Sequence, residues 1–597
     1  MNEILSRYLP RIEFDSYEDF YANYKCNVPD NFNFAYDVVD AWARIQSDKP
    51  ALLWTDDTGV LKSFTFSDIK RLSDKAANAL LALGVKKGDV VKLILKQRPE
   101  VWTLMCALLK IGAICIPGTY QLTAKDLEYR CNAASVKLLI TVDDDDVLES
   151  ISISLPNCPK LEKVAVVGTY GGASRGKKIP DGFIDMRSEI EKASEDFKGI
   201  STETKDPMLV YFSSGTTGLP KMVIHNHSLP LGHIVTAKYW HCAEDNAVHL
   251  TQTDSGWAKF AWGKIYGQWI CGAAIGVYDT EKFTPKGMLD AIMRLKPATF
   301  CAPATVFRYL IKEDLSGYDF SFIHHTSVAG EPLSPEVYNK FSELTGLEIR
   351  EGFGQSETSV MAAVFKWLSV KPGSMGKPAP LFDLKLLDED GCECDEGNVG
   401  NMSITRAGKN MYDIESSMKS DIGISDNARR QREDAEDETP VIGDSDFPGL
   451  FRGYWRDREI TLSSWKDGIY QTGDMAWKDD DGYLWFVGRN DDVIKCSGYR
   501  IGPFEVESAL MEHPSVLECA VTAAPDTMRG QVVKATIVLA RGFSASDELI
   551  RELQNHVKRV TAPYKYPRII EFVPELPKTI SGKIKRTDIR KKDFTAN

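Results

Sequence analysis

Between residues 211 and 221 the chain reads Tyr211-Phe212-Ser213-Ser214-Gly215-Thr216-Thr217-Gly218-Leu219-Pro220-Lys221. A short apolar run, Met208 to Phe212, enters a loop of glycines and hydroxyls that one lysine closes. Such a loop offers free backbone N–H groups, hydroxyl donors and a cation, which is the set that cradles a polyphosphate. It is not a Walker A loop, because Gly-x-x-x-x-Gly-Lys-[Ser/Thr] cannot be laid onto it. Other charged residues stand further on: Glu357, Asp474, Arg489 and Lys583. Singly, each has a plainer reading. Thr472-Gly473-Asp474 has an ordinary turn composition, Glu357 could be a surface charge, Arg489 an ion-pair partner, and Lys583 part of a solvated basic face.

Their order along the chain changes that. The loop resembles the phosphate-binding signature of the adenylate-forming enzymes: acyl-CoA synthetases, luciferases and peptide-synthetase adenylation domains. Ala329-Gly330-Glu331-Pro332 is similar to their adenine-contacting segment. Gly352-Phe353-Gly354-Gln355-Ser356-Glu357-Thr358 resembles the motif whose Glu binds magnesium, and Tyr470-Gln471-Thr472-Gly473-Asp474 the one whose Asp holds the ribose hydroxyls. Gly488-Arg489-Asn490-Asp491-Asp492 resembles the hinge, with Asp491 its pivot. Lys495-Cys496-Ser497-Gly498-Tyr499-Arg500 resembles the coenzyme A segment, in which Ser497, Gly498 and Arg500 would face the coenzyme. Pro577-Lys578-Thr579-Ile580-Ser581-Gly582-Lys583 resembles the catalytic-lysine motif.

The resemblance implies a ligase using ATP, Mg2+ and coenzyme A. A carboxylic acid would attack the α-phosphorus of ATP, giving acyl-AMP and pyrophosphate, and the acyl group would then pass to the CoA thiol. Two anions must meet in the first step, which calls for preorganised cations and N–H donors rather than a covalent nucleophile. Lys583 is the candidate for bridging carboxylate and α-phosphate, with Glu357 (through Mg2+), Thr216 and Lys221 neutralising the rest. Lys583 also stands where a lysine acetyltransferase regulates some relatives.

Phe32-Asn33-Phe34-Ala35-Tyr36-Asp37 and the run Ser497 to Glu507 resemble medium-chain acyl-CoA synthetases. In acetate-specific relatives a tryptophan closes the acyl pocket at the position of Gly354, and valines stand at Ala258 and Ala329. All three are small here, which implies a wider pocket for a short branched, medium-chain or aromatic acid. Trp257 or Trp262 refilling the space is the alternative, and Lys259 either braces that wall or is an ordinary surface lysine.

These residues need elements to hold them. Ile69, Leu72, Ala76, Leu80 and Leu83 recur at helical spacing behind Ser67, a candidate N-cap, and Gly84 stops the helix. Val90 to Leu95 reads as a strand, Pro99 to Ile111 as a helix, and Ala113 to Ile116 as the next strand. This alternation predicts α/β structure with mostly parallel, doubly wound sheets over residues 1–490. Residues 491–597 read as a small α+β unit with a helix after Pro503 and strands at Val516 to Val521 and Val532 to Leu539. A polar acidic stretch from about 408 to 446 lacks the periodicity that buries a face and reads as a surface insertion.

At 597 residues the chain exceeds what one core supports. Its net charge of −13 argues against nucleic-acid binding. No apolar run approaches a membrane span, and the N-terminus lacks a secretory h-region, so a cytosolic protein is expected. The Cys392-x-Cys394 pair alone is a weak metal signal. Rival readings are an enzyme loading a separate carrier protein, a luciferase-like oxidase, and a silent nucleotide or acyl-AMP sensor.

Overall fold

The computed structural model describes residues 2–168, 179–213, 219–405, 447–466, 468–496, 499–526, 529–579 and 583–595. The acidic stretch therefore falls outside the described residues.

Two large sheets carry the N-terminal part. One has nine strands and runs from Lys377–Pro378 at one edge to Leu61–Thr65 at the other, through Ala362–Ala363, Ile349–Phe353, His325–Ala329, Thr299–Ala302, Val248–Thr251, Ala274–Asp279 and Pro50–Asp56. Its interior pairings are parallel and its outer ones antiparallel. The other has seven strands, with Val90–Ile94 and Ile114–Pro117 central and the antiparallel hairpin Pro207–Ser213/Lys221–Asn226 at one edge. The doubly wound expectation is met.

The apolar pattern explains the layering. Every residue of the Glu100–Ile111 helix is buried. A helix buried all round belongs in a core between layers rather than on a surface. Among the described residues, however, no helix is long and apolar enough to cross a membrane. The first amphipathic helix spans Phe66–Ala82, and its cap is Thr65, not Ser67. Thr65 Oγ1 accepts from the Asp68 N–H at 3.1 Å while Asp68 accepts from the Thr65 N–H at 3.0 Å. Phe66 is already fully buried, so the helix must begin before Ser67, and this reciprocal capping box fixes where.

A third sheet joins Leu384–Leu387, Gly400–Ile404, Ile469–Lys478, Trp465–Lys466 and Leu484–Arg489. A fourth is built on the long hairpin Val516–Asp526/Gly530–Leu539, with Ile494–Cys496, Tyr499–Ile501 and Ile569–Phe572 beside it. Its residues form their own core with the helices Pro503–Met511 and Asp547–Val560.

Candidate active site

The third sheet presents Asp474 and Arg489 as direct partners across its antiparallel hairpin. Arg489 donates to Asp474 Oδ1 at 3.3 Å and to the Thr472 carbonyl at 3.1 Å. Gln355, from the Gly352–Thr358 loop, donates to Asp474 Oδ2 at 2.5 Å and to the Thr472 carbonyl at 2.8 Å. Tyr470 Oη donates in turn to Gln355 Oε1 at 2.9 Å. Gly473 has φ +73°, and an added Cβ would meet the Arg489 guanidinium at 2.8 Å, so this turn has no room for a side chain. Burial pushes the Asp474 carboxyl upward, and the charges of Arg489 and Lys583 pull it back.

Glu357 is buried on the same loop, and burial raises its pKa. Tyr454 Oη donates to it at 2.9 Å, and Lys221 Nζ lies 4.8 Å above the Tyr454 ring. No described cation lies within ion-pair distance of Glu357. Nor do the described residues contain a group of three or more His, Cys, Asp or Glu that could hold a metal ion. A lone buried carboxylate fits Mg2+, which usually takes one or two carboxylates and completes its shell with water and substrate phosphates.

Tyr454 escaped the reading of the sequence, while His225, left by that reading as a structural histidine, is one whose position supports the site. His225 is fully buried and its Nε2 bonds the Ser356 carbonyl at 2.8 Å, tying the strand after the phosphate loop to the residue before Glu357. Burial drops its pKa to about 4, so it is neutral. Two clues were present: Tyr454 sits in an aromatic Gly-Tyr-Trp run after the acidic stretch, and His225 lies just past the Gly/Ser/Thr loop on a strand.

Ser213 and Lys221 face each other in the hairpin register, so they mark the two ends of the loop. Ser214, Gly215, Thr216, Thr217 and Gly218 lie outside the described residues, as do Ser497 and Gly498. Arg500 sits in the Tyr499–Ile501 strand opposite Lys495. Gly330 has φ +92°, with open space where a Cβ would be. The Glu331 carboxylate is already engaged, accepting from Thr305 Oγ1 at 2.6 Å and from Arg308 at 3.2 Å. Pro332 follows it, and Phe353 packs 6.0 Å from Phe486.

Of the residues expected to line the acid, Trp262 lies against Gly354. A Cβ on Gly354 would lie 2.3 Å from the Trp262 indole, so that ring occupies the space the small residue leaves. Trp262 meets Trp240 edge-on at 6.1 Å. Trp257 and Ala258 precede the short helix that carries Trp262. Lys259 is a brace: its ammonium donates to the carbonyl of Ala329 at 2.9 Å.

Lys583 is exposed at the root of a small hairpin, where its N–H donates to Thr579 Oγ1 at 3.1 Å. Its charge is the weakest of the influences that pull the Asp474 carboxyl back down. Asp491 stands between the two, with its carboxylate 3.9 Å from Arg489.

This arrangement has relatives. The AMP-binding enzyme family matches residues 39–411, and the AMP-binding enzyme C-terminal domain matches residues 505–583. Acyl-coenzyme A synthetase ACSM3, mitochondrial, of Mus musculus is 38% identical over 590 residues, 97% of this chain and 94% of its own. Human ACSM5, also named an acyl-coenzyme A synthetase, is 39% identical over 576 residues, 95% of this chain and 91% of its own. Among solved structures, the anthranilate CoA ligase AuaEII in complex with anthranoyl-AMP superposes with a TM-score of 0.79 at 26% identity, covering 95% of this chain and 99% of that one. An acyl-CoA synthetase of Brucella canis gives 0.68 at 29%, covering 98% and 100%. The chain belongs to the AMP-binding enzyme family, among its AMP-forming acyl-coenzyme A synthetases.

Proposed function

We propose that the cluster of Glu357, Gln355, Asp474 and Arg489 holds the nucleotide while Lys583 drives adenylation of a carboxylic acid bound against Trp262, the ring that fills the space beside Gly354. The observation that carries this reading is the hydrogen-bonded cluster in which Gln355 and Arg489 orient the buried Asp474 while the same loop holds the buried Glu357 against Tyr454. Asp474 would accept the ribose hydroxyls, its orientation set by Gln355 and Arg489. Glu357 would hold Mg2+, which when bound neutralises charge on the phosphates. Lys221 and the Thr216 loop would add donors to the departing pyrophosphate. Lys583 would bridge the carboxylate and the α-phosphate, stabilising charge that builds only in the transition state.

For the thioester step, residues 491–597 would turn about Asp491 as one unit against 1–490, exchanging Lys583 for Ser497, Gly498 and Arg500 at the acyl carbon. The acid would be short and branched, medium-chain or aromatic, and the anthranilate ligase among the similar structures supports the aromatic option. An exposed Lys583 is open to a lysine acetyltransferase. The relatives' names place them in mitochondria, whereas this reading keeps the chain cytosolic, and fractionation of the tagged full chain decides between the two.

The test is product analysis by mass spectrometry with ATP, Mg2+, CoA and acids from acetate to octanoate, including branched and aromatic ones. Acyl-CoA with stoichiometric AMP and pyrophosphate is the expected result, and its distribution ranks the acids. Acyl-AMP without thioester would move the acyl acceptor to a carrier protein. No AMP with any acid would sink the reading.

A further inference from the structure

The segment from Leu450 to Trp455 joins the two charged groups that the nucleotide reading turns toward the phosphates, Lys221 and Glu357. On one flank it runs beside the strand Lys221–Asn226, which follows the phosphate loop. Arg452 N–H donates to the Ile224 carbonyl at 2.8 Å, Ile224 N–H to the Gly453 carbonyl at 3.2 Å, and Trp455 N–H to the Met222 carbonyl at 2.7 Å. Tyr454 is thereby set opposite Val223. On the other flank the segment is tied to the loop of Glu357. Phe451 N–H donates to the Glu357 carbonyl at 2.7 Å, and Leu450 pairs with Thr358. Tyr454 N–H donates to Thr461 Oγ1 at 2.9 Å, which fixes the root of its side chain. The ring is buried, 5.1 Å from that of Phe451.

Held in this way, Tyr454 serves a different charge with each part of its side chain. The hydroxyl donates to Glu357 Oε1 at 2.9 Å, and the ring face lies 4.8 Å from the Lys221 ammonium. That face is the negative pole of the ring, so a cation settles on it without a carboxylate. A buried carboxylate and a lysine attract strongly where the dielectric is low. Here each feels the other, since the Lys221 charge pulls the Glu357 carboxyl down against the rise that burial imposes. Yet the two form no ion pair, and no other described carboxylate pairs with Lys221. An ion pair between them would neutralise both and leave neither for a ligand. Tyr454 gives each a weaker partner instead. Its hydrogen bond leaves lone pairs on the carboxylate, and its ring face leaves the ammonium its N–H donors.

We infer that Tyr454 is a positioning residue that keeps Lys221 and Glu357 apart, leaving the carboxylate for Mg2+ and the ammonium for the phosphates of ATP. The inference rests on the nucleotide reading above. Tyr454 acts through these two groups, without contact to substrate.

The test is the affinity of the full chain for ATP, measured by calorimetry without an acid, once in excess Mg2+ and once in EDTA. The ratio of the two affinities is what the metal adds. Tyr454→Phe keeps the ring and loses the donor. It should shrink that ratio about tenfold, the low end for a residue that orients a metal ligand, with the loss falling on the affinity in Mg2+ far more than on that in EDTA. Tyr454→Leu removes the ring as well, so Lys221 collapses onto Glu357, and both affinities should fall. Tyr454→Met serves in its place where the leucine variant does not fold. The decisive variant combines Tyr454→Leu with Lys221→Met, so that no ammonium competes for Glu357. It should regain part of the ratio that Tyr454→Leu lost, a recovery that a merely structural tyrosine does not give. No recovery in the double variant, or equal loss with and without Mg2+ in Tyr454→Phe, overturns the inference alone where Mg2+ strengthens ATP binding to the wild type. A wild type whose ATP affinity gains nothing from Mg2+ overturns the reading of Glu357 and the inference with it.

Discussion

The proposed nucleotide side and the proposed acyl side of the site share one loop, Gly352 to Thr358, and are built by opposite means. On the nucleotide side, Gln355 and Glu357 are fixed by named partners: Asp474, Tyr470 and Tyr454, at 2.5 to 2.9 Å. On the acyl side, Gly354 contributes an absence that Trp262 fills from another element. Chemistry here is set by donors and acceptors, where a changed residue type leaves a buried group unpaired. Selectivity is set by volume, where a change moves the optimum without abolishing the reaction.

That contrast is breakable. The largest effect belongs to Lys583→Ala, or to quantitative acetylation of Lys583. Adenylation should fall about a hundred- to a thousand-fold, while thioester formation from supplied acyl-AMP persists. Equal loss of both steps would remove the division of labour between the two orientations. Trp262→Ala comes next. It should move the optimum toward longer straight-chain acids, by roughly a few-fold in kcat/KM per added methylene at about 0.8 kcal/mol each. An unchanged chain-length profile would show that Trp262 does not bound the acid.

The smallest effect at neutral pH comes from the buried histidines that support each side. Burial lowers His225, behind Glu357, to about 4 and His233, 6.2 Å from the Trp262 ring, to about 3. Both lie below the ordinary 6.5 that an unfolded chain keeps. The unfolded state therefore binds the extra protons. Stability is full above about pH 6.5 and falls as pH drops toward 4, by up to about 1.4 kcal/mol per unit for each histidine. Thermal unfolding followed from pH 7.5 to 4.5 should show this decline, and His225→Gln should make it shallower by that one ring's share, since His227, His233, His241, His249 and His325 are lowered by burial as well. A flat profile in the wild type would mean that these rings are not held neutral.

The comparison also explains what could be read from the residues alone. Asp474, Arg489 and Glu357 were singled out only by the order of motifs that resembles the adenylate-forming enzymes, whereas the α/β alternation followed from helical and strand spacing. Tyr454 was not, and His225 was read only as structural, because their partners are a carboxylate and a backbone carbonyl 97 and 131 residues away. Lys259 could be read either as a brace or as a surface charge, since the Ala329 carbonyl that decides it leaves no trace in residue types. Trp262 rather than Trp257 lies over Gly354 because of the short turn of helix that carries it, and spacing did not discriminate between the two. At Thr65 the error was local: Ser67 is a good cap by type, but Phe66 must be buried first.

The long spans of these bonds have a meaning for how the chain comes to be folded. Gln355 meets Asp474 across 119 residues, and Glu357 meets Tyr454 across 97. Closing such loops costs entropy that grows only logarithmically with length, but the cost falls before any bond compensates for it. The nucleotide cluster is therefore assembled late and all at once, after the sheets that carry its pieces. A chain still being synthesised, with the strand of Asp474 not yet made, has every glycine of the phosphate loop and no means of spending ATP.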